Sequence, residues 1–297
     1  MGTNRPLSLS ALAIFRAVAR EGGVVAAAAS LNRVQSNVST RLRQLEETVG
    51  AALFRRDPRG LTLTDEGRTL LRYAERMLAL SDEAVDALRP EQPAGPFRIG
   101  AMESTATSRL PRHLSAYHAR YPDVELHIET ETAGRLASRL KAGAVDAIFI
   151  AEPLTVDGAL SEPVFEERLM LVLPRSFPDP ASPRGLDGAT VVAFEEGCAY
   201  RRYLEEWLVE AGVRPKGFLS VASYPAILAC VAAGTGFAVV PRSVLDVIAS
   251  EGEFRIVDLP PRYRRIRTLL AWRQDFGSPK LDALRALIAA DQDAEAA

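Results

Sequence analysis

An alanine-rich stretch from Val24 to Leu31 is followed, after two residues, by Val34-Gln35-Ser36-Asn37-Val38-Ser39-Thr40-Arg41-Leu42-Arg43-Gln44-Leu45-Glu46. No other segment restricts the fold as much, because it reads as helix, tight turn, helix. Upstream, Leu9, Leu12, Phe15 and Val18 recur at helical spacing; in the later helix Val38, Leu42 and Leu45 follow at i, i+4 and i+7. Three short helices with these stripes can share one small core. The opposite face of the last helix carries Gln35, Ser36, Asn37, Ser39, Thr40, Arg41 and Arg43. Gln and Asn pair bidentately with adenine, Ser and Thr adapt, and Arg neutralises phosphate. That face therefore suits double-stranded DNA, although a solvated helix face has the same composition and helix-turn-helix shapes recur in many helical folds.

The next residues separate these readings. Leu53-Phe54-Arg55-Arg56, Asp57-Pro58-Arg59-Gly60 and Leu61-Thr62-Leu63-Thr64 read as strand, turn and strand, with Arg55, Arg56 and Arg59 at or beside the tip. This is a basic wing. Residues 1–60 hold nine arginines against four acids, a net +5, whereas the whole chain is −2, so the remainder carries −7. A cationic module on an acidic body marks a polyanion-binding end.

Residues 1–64 resemble the winged helix-turn-helix domain of LysR-type transcriptional regulators. The likeness rests on the alanine-rich helix, the Gln35-Ser36-Asn37-Val38-Ser39 start of the recognition helix, Gln44-Leu45-Glu46, Leu53-Phe54-Arg55-Arg56 and Leu61-Thr62-Leu63-Thr64-Asp65-Glu66-Gly67. One position departs from the family pattern: members place Ser or Thr before the alanine-rich helix, where this chain has Gly22-Gly23-Val24-Val25. A glycine cap costs only about a few tenths of a kcal/mol relative to serine, so a softer helix start is expected.

With 297 residues and 47% apolar content, the chain is long enough for about two domains. It has no long apolar run, and Met1 to Ser10 lacks the pattern of a signal peptide, so a cytoplasmic protein without membrane partners is expected. Cys198 and Cys230 have no metal-ligand spacing, and His113, His118 and His127 fall at intervals of five and nine rather than four. Neither a metal nor a cofactor is expected.

From Thr64 to Arg89 the pattern becomes one helix, with Thr64 as cap, Asp65 and Glu66 in the first turn and Pro90 as stop. Leu71, Ala74, Leu78, Ser81, Val85 and Leu88 form a seam along this helix, which is about 37 Å long at 1.5 Å per residue. Such a seam suits pairing with a second copy, and two half-sites multiply affinity. Residues 65–89 are thus expected to be a dimerisation helix. Residues 90–96, with three prolines and a glycine, are expected to be a hinge outside helix and strand.

Residues 97–297 form the expected second domain. Strands over 97–102, 124–131 and 145–151 alternate with helices over 106–121 and 135–142; a second run has strands over 190–194, 217–221 and 237–240 and helices over 200–211, 225–233 and 244–250. This alternation predicts parallel sheet, with Glu167 to Leu173 as a crossing strand. The fold class is α/β overall: a winged helix-turn-helix, a long linker helix and two α/β lobes. The LysR resemblance implies the same bilobed effector domain, like periplasmic solute-binding proteins, and extends along essentially the whole chain. It also implies a homodimer that pairs further into a tetramer.

Ligands of open α/β sheets lie at the carboxyl ends of strands. Those ends carry Met102-Glu103-Ser104-Thr105 in one lobe and Glu195-Glu196-Gly197-Cys198-Ala199-Tyr200-Arg201 in the other. The candidate effector residues are accordingly Glu103, Ser104, Thr105, Glu196, Cys198, Ala199, Tyr200 and Arg201. Backbone amides and hydroxyls there could hold an anion, and Glu103 or Glu196 an amine; helix capping explains Ser104 and Thr105 equally well. Cys198 reads as cavity lining, with redox sensing as the alternative. Gly234-Thr235-Gly236 is too short for a dinucleotide fingerprint and reads as a tight turn before a strand. No nucleophile-base or metal set emerges, so no enzyme is expected. A solute-binding protein would leave residues 1–64 without a use. The expectation is a DNA-binding regulator responding to a small polar or anionic effector.

Overall fold

The structure is a computed structural model that describes residues 7–57, 60–88, 93–153, 156–177, 183–249 and 254–296. Two compact units part in sequence at residues 89 and 90.

In the first unit, helices α1 (Leu9–Glu21), α2 (Val24–Ser30) and α3 (Gln35–Val49) bury Leu12, Phe15, Val18, Ala27, Val38, Leu42 and Leu45 in one cluster. These are the expected stripes, except that Leu9 is 44% exposed. Gly23 caps α2 without a side-chain hydrogen bond, as its composition requires. An antiparallel wing follows, β1 (Phe54–Asp57) with β2 (Gly60–Leu63), and an edge-on contact of 5.4 Å between Phe54 and Phe15 fixes it to α1.

Helix α4 (Asp65–Ala87) starts at Thr64, whose hydroxyl accepts the Gly67 N–H at 2.9 Å and donates to the Ala52 carbonyl at 2.7 Å. Gly67 is required here: a Cβ would lie 2.1 Å from the Leu53 carbonyl oxygen. Along α4 the structure corrects the expected seam. Ala74 and Leu78 are buried in the first unit's own core, with Leu71 partly buried against it, because α1 packs on this half of the helix. Tyr73, Met77, Leu80 and Ala84, at steps of four, three and four, are exposed instead, as are Val85 and Leu88. The helix has two apolar stripes, and the module's core takes the first.

The second unit opens with parallel strands β3 (Gly95–Ala101), β4 (Val124–Thr130) and β5 (Ala147–Ala151), β3 lying in the middle. Gly95 and Pro96 therefore belong to a strand and not to the hinge; a proline at the first positions of a strand removes little from its ladder. Helices α5 (Glu103–Ser108) and α6 (Leu110–Arg120) take the place of one long helix, and α7 (Ala133–Ala142) precedes β5. Strand β6 (Ala159–Pro174) is the crossing strand, longer than its expected span.

Beyond it come β7 (Thr190–Ala193), α8 (Ala199–Glu210), β8 (Gly217–Ser220), α9 (Tyr224–Ala232), β9 (Ala238–Pro241) and α10 (Arg242–Ile248). The chain ends in β10 (Phe254–Asp258), α11 (Pro261–Arg264), β11 (Arg265–Arg273) and α12 (Pro279–Ala296). Strand β11 lies antiparallel between β5 and β6, while the later part of β6 pairs antiparallel with β9 and β10. The sheet is thus mixed: β11 returns from the second lobe and enters the first from the opposite end. Phe97, Ile99, Tyr117, Phe149, Leu270 and Leu284 fill the first lobe, and Val172, Tyr224, Ile227, Val231 and Val240 the second. Gly236 lets β9 approach β7, since a Cβ there would stand 2.0 Å from the Thr190 carbonyl oxygen.

Candidate functional site

Two surfaces carry the sequence-derived candidates, one in each unit. On α3, Val38, Leu42 and Leu45 point into the core and so rotate Gln35, Ser36, Asn37, Ser39, Thr40, Arg41 and Arg43 outward; all seven are exposed. Short hydrogen-bonding groups occupy the first turns and arginines follow, so base-edge donors and phosphate-neutralising cations lie on one continuous face. Arg55 is also exposed, its Nε donating to the Thr62 hydroxyl at 3.3 Å. Arg56 continues strand β1, opposite Leu61; its side chain and the whole of Arg59 lie outside the described residues.

In the second unit a cleft of about 510 Å³ lies between the lobes. The carboxyl ends of two pairs of parallel strands supply it. Met102, Glu103 and Ser104 follow β3; Thr130 ends β4 and Glu131 to Ala133 and Arg135 follow it; Phe194 and Glu195 follow β7; Ser220 ends β8 and Val221 and Ala222 follow it. Cys198, Ala199, Tyr200 and Tyr224 complete the lining. Its volume falls in the range of small-molecule sites.

The polar groups of the cleft are unequally satisfied. Ser104 Oγ donates to the Tyr200 hydroxyl at 3.3 Å. Glu103 Oε1 accepts the Tyr224 N–H at 3.2 Å, while Glu103 Oε2 is buried with no hydrogen-bond donor among the described residues. Burial pushes the Glu103 carboxyl above its usual range, opposed by the Tyr224 N–H. Burial likewise raises Cys198, Tyr200 and Tyr224, so all three hold their protons near neutrality. At the mouth, Arg135 lies 3.2 Å from Glu131 in its own lobe and 3.7 Å from Glu195 in the other.

Residues 9–68 match the family described as bacterial regulatory helix-turn-helix protein, lysR family, and residues 90–293 match the LysR substrate binding domain. The chain belongs to the LysR family of transcriptional regulators. HTH-type transcriptional regulator GltR of Bacillus subtilis (strain 168) is 34% identical over 270 residues, 91% of each chain. In fold, the LysR chain resembles a full-length OxyR variant from Pseudomonas aeruginosa, with a TM-score of 0.72 and 23% identity over 96% of this chain and 95% of that one. It also resembles full-length CbnR complexed with its target DNA, with a TM-score of 0.68 and 21% identity over 96% and 99% of the two chains.

Against this frame the effector candidates divide. Glu103, Ser104, Cys198, Ala199 and Tyr200 line the LysR cleft, whereas Thr105, Glu196 and Arg201 do not. Thr105 is buried one position past the cleft wall, its hydroxyl without a partner among the described residues. Glu196 is exposed, and Arg201 turns to Glu205 at 2.8 Å and to the Phe194 carbonyl at 3.1 Å while stacking over Phe218. The i, i+4 partner Glu205 and the ring of Phe218 draw that guanidinium away. Thr130-Glu131-Thr132, Arg135 and Ser220 also line the cleft, by the same strand-end rule applied to β4 and β8, and Tyr224 joins them from the start of α9. The Cys198 thiol is the reverse of an activated one, since burial raises it. Among the described residues no helix is long and apolar enough to cross a membrane, and no cluster of His, Cys, Asp and Glu could hold a metal.

Proposed function

We propose that this LysR regulator reads specific duplex sequences with the outer face of α3, pairs with a second copy through the exposed stripe of α4, and alters its hold on DNA when a small polar effector fills the cleft. The observation that carries the reading is the outward rotation of Gln35, Asn37, Arg41 and Arg43 by a buried Val38, Leu42 and Leu45 stripe. Gln35 and Asn37 carry base discrimination; Arg41 and Arg43, with Arg55 of the wing, contribute charge neutralisation. The CbnR structure with its target DNA supports the assignment by fold.

Coupling needs an effector with unequal affinity for two arrangements of the lobes. Contacts in the cleft already span them: Tyr224 N–H to Glu103, Ser104 to Tyr200, and Arg135 with Glu195. An effector that engages both walls favours closure and shifts the equilibrium of the domain. The expected anionic group finds one lining cation, Arg135, already flanked by two carboxylates.

Selection of duplexes from a random pool by the full chain tests the DNA reading. A recurring sequence of two related half-sites is expected, and the Asn37→Ala protein should change or lose it. A pool that stays random after repeated rounds contradicts the reading.

A further inference from the structure

We infer that the effector is an organic ammonium cation, held by Glu103 within the aromatic wall formed by Phe194, Tyr200 and Tyr224. This rests on the reading of the cleft as the effector site and names the chemistry that site accepts. The lining carries three carboxylates, Glu103, Glu131 and Glu195, and one base, Arg135. Arg135 lies 3.2 Å from Glu131 and 3.7 Å from Glu195, so it balances those two at the mouth. Glu103 is left as the uncompensated charge of the interior. Its Oε1 is satisfied by Tyr224, but Oε2 is buried without a donor among the described residues. A carboxylate oxygen in that position is costly to leave unpaired, and an ammonium group supplies both the hydrogen and the opposite charge.

The surrounding groups favour the same chemistry. Phe194 and Tyr224 meet edge to face at 4.9 Å, and aromatic rings attract cations. Cys198, Tyr200 and Tyr224 retain their protons and add no competing charge. Met102, Ala133, Ala199 and Val221 provide apolar lining for a carbon skeleton. An anion would meet Glu103 instead, and Arg201, which does not itself line the cleft, is already engaged by Glu205 and the Phe194 carbonyl.

The test uses the full chain and two sets of matched compounds: phenethylamine, 2-phenylethanol and 3-phenylpropionate; hexylamine, hexanol and hexanoate. Calorimetric titration should find at least one amine bound at least ~30-fold more tightly than its alcohol and carboxylate partners, the lower end for a desolvated charge pair. Glu103→Gln should weaken that amine by roughly 30-fold or more, and Glu103→Asp, which keeps the charge, by less. An amine bound no more tightly than its partners, equally tight amine binding by Glu103→Gln, or no amine binding at all overturns the inference. Ala222→Trp, placed at an exposed lining position to fill the cleft, separates the two levels. An alcohol or carboxylate that binds at least as tightly as its amine, is held equally by Glu103→Gln and is lost in Ala222→Trp overturns the cation and leaves the cleft as effector site. If no compound's binding is sensitive to Ala222→Trp, both fall.

Discussion

The Tyr224 N–H donates to Glu103 Oε1 at 3.2 Å, joining the start of α9 in one lobe to the start of α5 in the other. This bond places a half-satisfied carboxylate at the boundary that an effector would have to bridge. The group proposed to hold the effector is thereby kept in an environment that disfavours its charge.

That conflict has a measurable sign. Desolvation raises the Glu103 pKa above its ordinary value, with the Tyr224 N–H opposing. A raised acid contributes stability that is fully present below the unfolded pKa and is lost as pH rises through the folded one. Glu103→Gln cannot ionise, so without effector it should melt higher than the parent at pH 7, and the two should converge below about pH 4. Cys198, Tyr200 and Tyr224 do not titrate in that window, since burial raises all three. A variant that melts lower than the parent at pH 7 refutes the assignment.

The two stripes of α4 predict opposite phenotypes. Leu80 is 64% exposed, so Leu80→Asp should leave the chain folded while shifting sedimentation from dimer towards monomer. Leu78 is buried in the first unit's core, so Leu78→Asp should destabilise that unit by ~3 kcal/mol or more through an unpaired buried charge. Unchanged sedimentation of Leu80→Asp would remove this stripe as the pairing surface.

On DNA, Asn37→Ala should relax base preference at defined positions by about 1–3 kcal/mol. Arg43→Ala should instead weaken binding to all duplexes alike and lower its dependence on salt. Fluorescence anisotropy on matched and mismatched duplexes at several salt concentrations distinguishes the two effects; identical profiles would contradict the division of roles.

Glu167 is the buried junction between the lobes. It receives Arg109 Nε at 2.7 Å and the Ser243 hydroxyl at 2.6 Å, and Ser243 in turn accepts from Ser108 at 3.0 Å. Glu167→Ala leaves Arg109 without its carboxylate and should cost roughly 3–5 kcal/mol in urea unfolding. A loss below ~1 kcal/mol would show that the network is dispensable.

The helical stripes, the wing, the capped α4 and the alternating elements up to α10 were legible because each is a local pattern. Strand β11 was not, since Arg265–Arg273 has a strand's composition but its place between β5 and β6 depends on partners about a hundred residues away. On α4 periodicity located an apolar stripe without telling which of two faces the module's core would take. In the cleft, strand-end position marked Glu103, Ser104, Cys198 and Tyr200, but Tyr224 reaches it only through the packing of α9. Arg201 shows the converse, a residue near the site in sequence whose own helix partner turns it away.

If the effector acts as proposed, occupancy of the cleft and engagement of DNA are one linked equilibrium. Its most direct test is the affinity and footprint of the full chain on its selected duplex, with and without a saturating compound whose binding Ala222→Trp abolishes. Linkage predicts a change in affinity of roughly 5- to 150-fold or a shifted footprint, lost in Ala222→Trp. A compound that saturates the cleft while affinity and footprint stay the same would contradict the account.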